Sequence, residues 1–442
     1  MVRVFGLLIF ALSLLADKML VPSILKERLH SDNPYVAEIL LQSRSKEELG
    51  RFYLGAFDPK LKGVYEKKEY PLSRSLYEEI GIDKSFQSGL KLKASYRKAT
   101  GVQETNNIKT SRDGEYLVGI DLPLIQMLKK INPKKYELIR ARLWAKEARY
   151  EAKERLQKLY RTVLEAYYDV LYATKLLKLR TKLLQSVEEM RRMVEKKIAV
   201  GARPKIEAVE MDLVLAGYQA KVQEAKELKG KKEAELKSYV DIDPARYRMP
   251  PLPKPKELPS FLDAFNIAKS QRPELRRLDM AIRLKRMERT LNTLRKLPSL
   301  RFYLYGVYDR IYEEGAKGGV ELTMPLQRNA YEGKRRSLLK EIAALEARRK
   351  AFVRTLEKSV SNAILRQKSL QRLYAFKTRE LEAARKLMDA QMKKFLVGEG
   401  TLFMLLQRQK RVIQIQEELL GLKRERSMAD LNLAYTMGSS LL

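Results

Sequence analysis

Side chains able to carry out chemistry are few and dispersed in this 442-residue chain. His30 is the only histidine, and there is no cysteine. A Ser-His-Asp triad or a multi-histidine metal site would depend on His30, which lies in a polar stretch beside Ser31 and Asp32, as a surface residue does. Without cysteine, a disulfide framework, a thiolate metal site and a thiol nucleophile are excluded. The sequence predicts no catalytic residue, no metal ligand and no cofactor.

Paired carboxylates are the remaining candidates for acid-base chemistry. Glu188-Glu189 and Glu417-Glu418 both lie in helical runs among Lys and Arg. Solvated helix faces, on which acidic and basic side chains alternate, account for such pairs. The alternative of an exported enzyme would require an acid-base pair clustered in a pocket, and the pattern favours a protein that is not an enzyme.

The formal net charge of +34 raises the possibility of a polyanion partner, because clustered Lys and Arg bind phosphates. Here the basic residues are spread along helical segments among Glu residues, and no single basic block stands out. We therefore expect no nucleic-acid partner. A scaffold coiled coil that binds polyanions is the alternative, whereas the excess charge could also line a lumen or face anionic lipid.

The N-terminus predicts export. Residues 1–16 combine Met1-Val-Arg with the apolar run Val4 to Ala16, the form of a secretory signal peptide, although Leu14 occupies a position where a small residue is preferred. This run is too short to span a bilayer, and no later stretch approaches the length of a transmembrane helix.

Two long segments, from about Pro133 to Tyr239 and from about Ala330 to Tyr435, show helical periodicity with charged faces. Each is interrupted once, at Gly201 and Gly398, where the sequences Lys-Lys-Ile-Ala-Val-Gly and Lys-Lys-Phe-Leu-Val-Gly match at an offset of 197. Glycine commonly ends a helix in a left-handed conformation, so each segment predicts a helical hairpin. The predicted organisation is a signal peptide (1–16), an N-terminal helix with first-repeat strands (17–132), a first hairpin (133–240), a Pro-rich linker (241–260), a helix with second-repeat strands (261–329) and a second hairpin (330–442).

Strand signals precede both hairpins, and their alternating apolar residues predict two matching strand pairs, an internal twofold repeat. A further candidate strand near residues 56–66 has no counterpart. Four or five strands cannot close a transmembrane barrel, which starts at about eight, so the chain must assemble with copies of itself. The residues predicted to lie on barrel strands are Leu90, Leu92, Val118, Ile120, Leu122 and Leu124 in the first repeat, and Phe302, Leu304, Val320, Leu322, Met324 and Leu326 in the second.

The chain resembles the TolC-like outer-membrane efflux protein (outer membrane factor) family. The resemblance covers nearly all of the sequence after the signal peptide. It rests on the twofold layout, on the Val-Pro-Leu strand endings and on the Val-Gly hairpin turns. Asn33-Pro34 and Arg272-Pro273 are similar to the short motif that opens helices in that family, and Leu297-Pro298 to its entry into a strand.

The resemblance implies an α+β membrane protein: a homotrimer with a twelve-stranded transmembrane β-barrel shared between protomers and a coiled-coil tunnel of helical hairpins in the periplasm. It would be the passive exit duct of a tripartite efflux pump or type I secretion system, embedded in outer-membrane lipid. A periplasmic adaptor (membrane fusion protein) would dock on the hairpin tips, and an inner-membrane transporter would supply energy. The matching tip residues are Val200, Gly201, Ala202, Val397, Gly398 and Glu399.

The predicted tunnel mouth departs from the family. Acidic rings commonly lie six and nine positions after the second hairpin glycine, where this chain has Met404 and Gln407. The equivalent positions of the first repeat are Glu207 and Glu210, which could also serve as ordinary helix-face partners of nearby cations. We hypothesise that Met404 seals the closed mouth and that ion selectivity is weaker or reversed.

Overall fold

The structure is a computed structural model that describes residues 19–101, 109–130, 132–253 and 257–438. The predicted signal peptide lies outside the described residues. No helix within these ranges contains an eighteen-residue stretch apolar enough to cross a membrane.

Helices dominate the chain, and two pairs of them are very long. Proline occupies the first position of α2 and of α7, where its missing N–H removes no helical hydrogen bond. The motifs around Pro34 and Pro273 therefore do open helices. The helices are α1 (Pro22–Arg28), α2 (Pro34–Leu54), α3 (Leu124–Leu128), α4 (Pro133–Ala199), α5 (Ile206–Val240), α6 (Phe261–Gln271), α7 (Pro273–Asn292), α8 (Asn329–Leu396) and α9 (Leu402–Thr436).

Unit 1 of the structure contains both hairpin tips, and is formed by Met1–Leu40, Lys153–Pro273 and Phe352–Leu442. Within it, Arg180 of α4 donates to Glu417 of α9 at 2.9 Å and to Glu224 of α5 at 3.2 Å. Asp169 of α4 likewise pairs with cations from α5 and α9. Polar bridges thus hold α4 to both α5 and α9, in addition to the apolar core that these helices share.

Unit 2, formed by Leu41–Ala152 and Glu274–Ala351, contains one antiparallel sheet in which the strands follow chain order. Each neighbouring pair is joined by a continuous register, as between Lys60–Tyr70 and Ser73–Ser85. The strands are β1 (Lys60–Tyr70), β2 (Ser73–Ser85), β3 (Lys91–Gly101), β4 (Glu115–Pro123), β5 (Ser299–Asp309) and β6 (Glu313–Thr323).

The sheet corrects the predicted strand count, because the described part of the chain contains six strands where four or five were expected. The candidate near residues 56–66 is β1, which begins only at Lys60 and continues to Tyr70. Its partner β2 was not predicted at all. Glu78 interrupts the apolar alternation of Leu76, Ile80 and Ile82, which hides the period-2 pattern.

Several predicted strand ends are also wrong. β6 ends at Thr323, so Met324 and Leu326 lie beyond it, and Leu124 already belongs to α3. Leu90 precedes β3 by one residue. Proline explains the error at the end of β4, because Pro123 lacks the N–H that would continue the ladder. The apolar alternation in the sequence therefore continues beyond the last hydrogen-bonded residues of β4 and β6.

Candidate functional site: the hairpin tips and the exposed sheet face

Both hairpin tips end their first helix with the same hydrogen-bond pattern. At the first tip, Gly201 N–H donates to Ile198 O at 2.9 Å and Ala202 N–H to Lys197 O at 2.9 Å. At the second, Gly398 and Glu399 donate to Phe395 O and Lys394 O at 3.3 and 3.0 Å. This is the Schellman motif, in which a residue of positive φ stops the helix and satisfies its last carbonyls.

Backbone conformation alone requires the two tip glycines. Gly201 has φ +74° and Gly398 has φ +91°, and a Cβ at either would meet no atom within 4 Å. A side chain would have space, but the left-handed backbone is costly for any residue with a Cβ.

The two tips pack against each other through Phe395, whose side chain is 0% exposed. Two cations of the first tip lie over its ring, Arg203 at 4.4 Å and Lys197 at 5.4 Å from the centroid. Arg203 also donates to Phe395 O at 3.1 Å and to Gly400 O at 2.8 Å, and Lys197 donates to Leu396 O at 2.8 Å. Cations of the first hairpin thus cap the C-terminal carbonyls of α8, where the helix dipole favours positive charge.

Glu207 completes this arrangement, which we call the tip clamp (Lys197, Arg203, Glu207, Phe395 and Gly400). Glu207 is 8% exposed, and its carboxylate pairs with Arg203 at 3.5 Å. Its Oε2 is buried without a hydrogen-bond partner, so the nearby guanidinium is what compensates the buried charge. Of the four predicted gate residues, Glu207 is therefore the buried one.

The other predicted tip and mouth residues are exposed. Val200 and Val397 are 78% and 71% exposed, and Met404 is 54% exposed. Three apolar side chains at or beside the two turns are therefore available for contact with a partner. The remaining exposed predicted residues are Gly201, Ala202, Glu210, Gly398, Glu399 and Gln407.

Two helices of unit 1 also leave apolar rows uncovered. On α5 the row consists of Ile206, Val209 and Leu213, at helical spacing, and it continues through the small residues Ala216, Gly217 and Ala220. On α8 the corresponding row is large and branched or aromatic: Leu365, Leu373, Phe376 and Leu387. The α5 row thus ends in small residues, whereas the α8 row is large throughout.

One face of the sheet in unit 2 carries an apolar band that crosses all six strands, whereas further along β1–β3 the same face carries charges such as Lys67, Glu78 and Lys98. Register places Leu61 opposite Ile82, Ile82 opposite Ala94, Ala94 opposite Val118 and Val118 opposite Gly306. The next row along that face includes Ile80, Tyr96, Tyr116 and Tyr308. Eight of the predicted strand residues lie on this one face: Leu92, Val118, Ile120, Leu122, Phe302, Leu304, Val320 and Leu322.

The opposite face of the sheet is polar. Lys93 of β3 pairs with Glu79 of β2 at 2.6 Å, Arg97 pairs with Glu115, and Arg301 of β5 pairs with Glu321 of β6 at 2.5 Å. Cross-strand ion pairs thus follow the sheet from β2 to β6. The sheet therefore has one mainly apolar face and one mainly charged face.

Sequence reasoning missed the residues that join the tips. Lys197, Arg203 and Phe395 were each visible in or beside the matched hairpin sequences, but neither helical period nor glycine position indicates a contact between two hairpins. One signal was available. Arg203 aligns with Gly400 at the same offset of 197 as the tip glycines, so this position differs in charge and size between the matched sequences.

Comparison with solved structures identifies the fold. CusC, a protein that forms a transmembrane channel, matches with a TM-score of 0.72 at 11% identity, covering 95% of this chain and 92% of CusC. The MtrE outer-membrane channel of Neisseria gonorrhoeae, in its open state, matches with 0.71 at 14%, covering 95% and 89%. The outer-membrane protein VceC of Vibrio cholerae matches with 0.70 at 12%, covering 95% and 97%.

No protein-family model and no curated protein matches the sequence. At identities this low the structural likeness establishes the fold, which extends over nearly the whole of each protein. The resemblance predicted from the strand endings and hairpin turns is confirmed for the fold.

Proposed function

We propose that this chain, which has the fold of the outer-membrane factor channels, is itself a homotrimeric outer-membrane channel. It is a passive exit duct whose hairpin tips dock a periplasmic adaptor and whose energy comes from an inner-membrane transporter. The observation that carries the proposal is the match to membrane channels over 95% of the chain. The further arguments concern assembly, the membrane and the tips.

A single copy leaves surfaces that only assembly can cover. Six strands are too few for a transmembrane barrel, because such barrels start at about eight and an open edge in lipid leaves backbone groups unsatisfied. The small residues that end the α5 row and the large residues of the α8 row fit a head-to-tail contact in which α8 of one copy packs on α5 of the next. Such a contact closes into a ring when the rotation between copies permits.

The apolar sheet face has dimensions that suit a bilayer. A strand of eleven residues, such as β5, is about 37 Å long, and at a tilt of about 40° it rises about 28 Å. This height is close to the apolar band of about 25 Å on outer-membrane barrels. Tyr96, Tyr116 and Tyr308 form one row of that face, as aromatic residues do in an interfacial girdle.

The tips suit docking by a separate protein. Val200 and Val397, exposed beside the glycine turns, are apolar anchors that a partner helix could cover. The contacts of Arg203 and Lys197 hold the two tips together, so the adaptor meets one preformed surface rather than two separate loops.

The mouth residues lead to a specific proposal for gating. Met404 and Gln407 lie exposed on α9, three residues apart and therefore on one helix face. With Glu207 withdrawn into its pair with Arg203, Glu210 is the acidic residue left exposed among the four. A threefold axis would bring three copies of Met404 together as an apolar seal, which has no preference for cations.

Membrane fractionation followed by native mass measurement tests the proposal. We expect the mature protein in the outer membrane and, after detergent extraction, a mass of three chains that forms ion-conducting channels in planar bilayers. A soluble monomer, or an outer-membrane protein without conductance, would contradict it. Cross-linking from Val200 and Val397, each replaced by a photoreactive residue, would then identify the adaptor.

A further inference from the structure

The sheet contains two strands more than the four per chain that the family resemblance implies. β1 and β2 continue the sheet without interruption. β2 pairs with β3 from Ser75 opposite Gly101 to Ser85 opposite Lys91, a register as long as that of β5 with β6. β1 in turn pairs with β2 along its whole length. A hairpin that merely covered the barrel would not extend the hydrogen-bonded ladder.

Residues 60–65 of β1 and 79–83 of β2 follow the same division into an apolar and a polar face as the other four strands, whereas the remaining parts of β1 and β2 place charges on the apolar face. Leu61, Ile80 and Ile82 are exposed on the apolar face, in the same rows as Ala94, Tyr96 and Val118. Glu79 on the opposite face pairs with Lys93 of β3. An appendage in water has no reason to place three large apolar residues outward in register with a lipid-facing band.

Close packing at Gly81 also makes β2 an integral strand. A Cβ at this position would lie 2.5 Å from Ser95 Cβ and 2.8 Å from Ala94 O. Only glycine permits this approach of β2 to β3 on the polar face. The junction between the second and third strands is as tight as a junction within the predicted four-stranded sheet.

The two edges of the sheet are suited to pairing with another copy. β1 and β6 are both eleven residues long, and within the described residues each has a strand neighbour on one side only. Because the number of strands is even, β6 of one copy would run antiparallel to β1 of the next, as a barrel of this kind requires. Charge also fits: β1 carries four Lys and two Glu, whereas β6 carries three Glu and one Lys.

We propose that all six strands of each chain form the barrel wall, with β6 paired to β1 of the neighbouring copy, so that three copies close an eighteen-stranded barrel. This inference rests on the proposed homotrimer. With strands about 4.8 Å apart and tilted about 40°, the barrel is about 36 Å across between backbones, against about 24 Å for twelve strands. Barrels of this size enclose a water-filled channel.

Cysteine cross-linking tests which strands meet between copies, since the chain has no cysteine of its own. In one variant Tyr65→Cys in β1 is combined with Val320→Cys in β6. In the other, Leu92→Cys in β3 is combined with Val320→Cys. All three positions are exposed on the apolar face. Within one chain β3 and β6 are three strand spacings apart, about 14 Å, so a shorter bifunctional maleimide links them only between copies.

We expect the β1–β6 variant to give covalent dimers and trimers on denaturing gels and the β3–β6 variant to remain monomeric. Leu61→Cys with Val320→Cys samples a second register of the same edge, and Val320→Cys alone is the control that should give no ladder. The native mass of each assembly is measured before cross-linking. A mass below three chains would refute the proposed homotrimer.

If trimers form and only the β3–β6 variant links, the wall is twelve-stranded with β1 and β2 outside it, and this inference alone is overturned. It is equally overturned if trimers form and neither register of the β1–β6 edge links.

Discussion

Removing the guanidinium of Arg203 should open the tip clamp. Arg203 makes two charged hydrogen bonds to carbonyls of the second tip, lies over the Phe395 ring and compensates Glu207. Hydrogen bonds to charged groups contribute about 1.5–3 kcal/mol each, and breaking a buried ion pair by removing one partner costs about 3–5 kcal/mol. These terms overlap, and both side chains of the pair are nearly buried. We therefore expect Arg203→Ala to destabilise the closed tips by about 3–5 kcal/mol.

Hydrogen–deuterium exchange measures the loss of stability at the tips themselves, whereas a thermal scan reports on the unfolding of the whole assembly. Each 1.4 kcal/mol is a factor of ten, so a loss of 3 kcal/mol accelerates exchange from the opened tips about a hundredfold. The acceleration should occur in peptides from both tips, around Gly201 and around Gly398, because the clamp joins them. Peptides from the far ends of the helices should be unchanged.

Matched variants distinguish the loss of the Arg203 contacts from the mere loss of one positive charge near the tip. Lys205→Ala removes an exposed cation two residues away and should change stability by less than about 0.5 kcal/mol. Arg203→Lys keeps the charge but not the planar fork, and should lie between the two. Adding Glu207→Gln to Arg203→Ala should restore part of the protection by removing the unpaired charge. Equal exchange in Arg203→Ala and Lys205→Ala would refute the clamp.

Three further predictions follow from the tips and the helices. Gly398→Ala should cost about 1–2 kcal/mol because its φ is +91°, whereas Gly230→Ala, inside α5 with open space around it, should stabilise by about 0.5–1 kcal/mol; equal effects in chemical denaturation would contradict the assignment. Met404→Asp should give the reconstituted channel cation preference and blockade by trivalent cations, and strong preference with tight blockade already in the unmodified channel would refute the apolar seal. Lys377 hydrogen-bonds Glu380 and Glu418 and thereby lowers the pKa of both carboxyls below 4.5, so the stability they contribute is present above that pH and is lost as pH falls through the lowered values. Lys377→Met should therefore lower the melting temperature by about a degree at neutral pH and have a progressively smaller effect as pH falls through the lowered pKa values, and an effect that does not change with pH would contradict the ion pair.

The sequence predicted those features that depend only on residues close together in the chain. The glycine turns at 201 and 398 follow from a conformation that only glycine adopts easily, and the long helices follow from a period that a single segment displays. The strand faces also followed, because Val118, Ile120 and Leu122 alternate without interruption. These features need no knowledge of what packs against them.

Features set by neighbours could not be predicted in the same way. Strand β2 carries Glu78 in its apolar row, and Lys98 of β3 lies directly opposite it in the sheet, where the two charges can compensate each other. The sequence of β2 alone does not show that Lys98 of β3 lies opposite Glu78. The same holds for Glu207, whose helical position is compatible with solvent and whose burial follows from Arg203 and from the second hairpin.

The matched hairpin sequences differ at 203 and 400 for a reason that the packing makes clear. Corresponding positions of the two tips face each other, since the Arg203 guanidinium donates to the carbonyl of Gly400. Two arginines at these positions would bring like charges together and leave the α8 carbonyls without the donor. A Cβ at 400 would also lie 2.9 Å from Gln391 Nε2 and 3.2 Å from Phe395 N. One tip must therefore supply the side-chain donor, and the other must supply a backbone carbonyl at a residue without a side chain. The contact thus requires different residues at positions 203 and 400 of the two matched hairpin sequences.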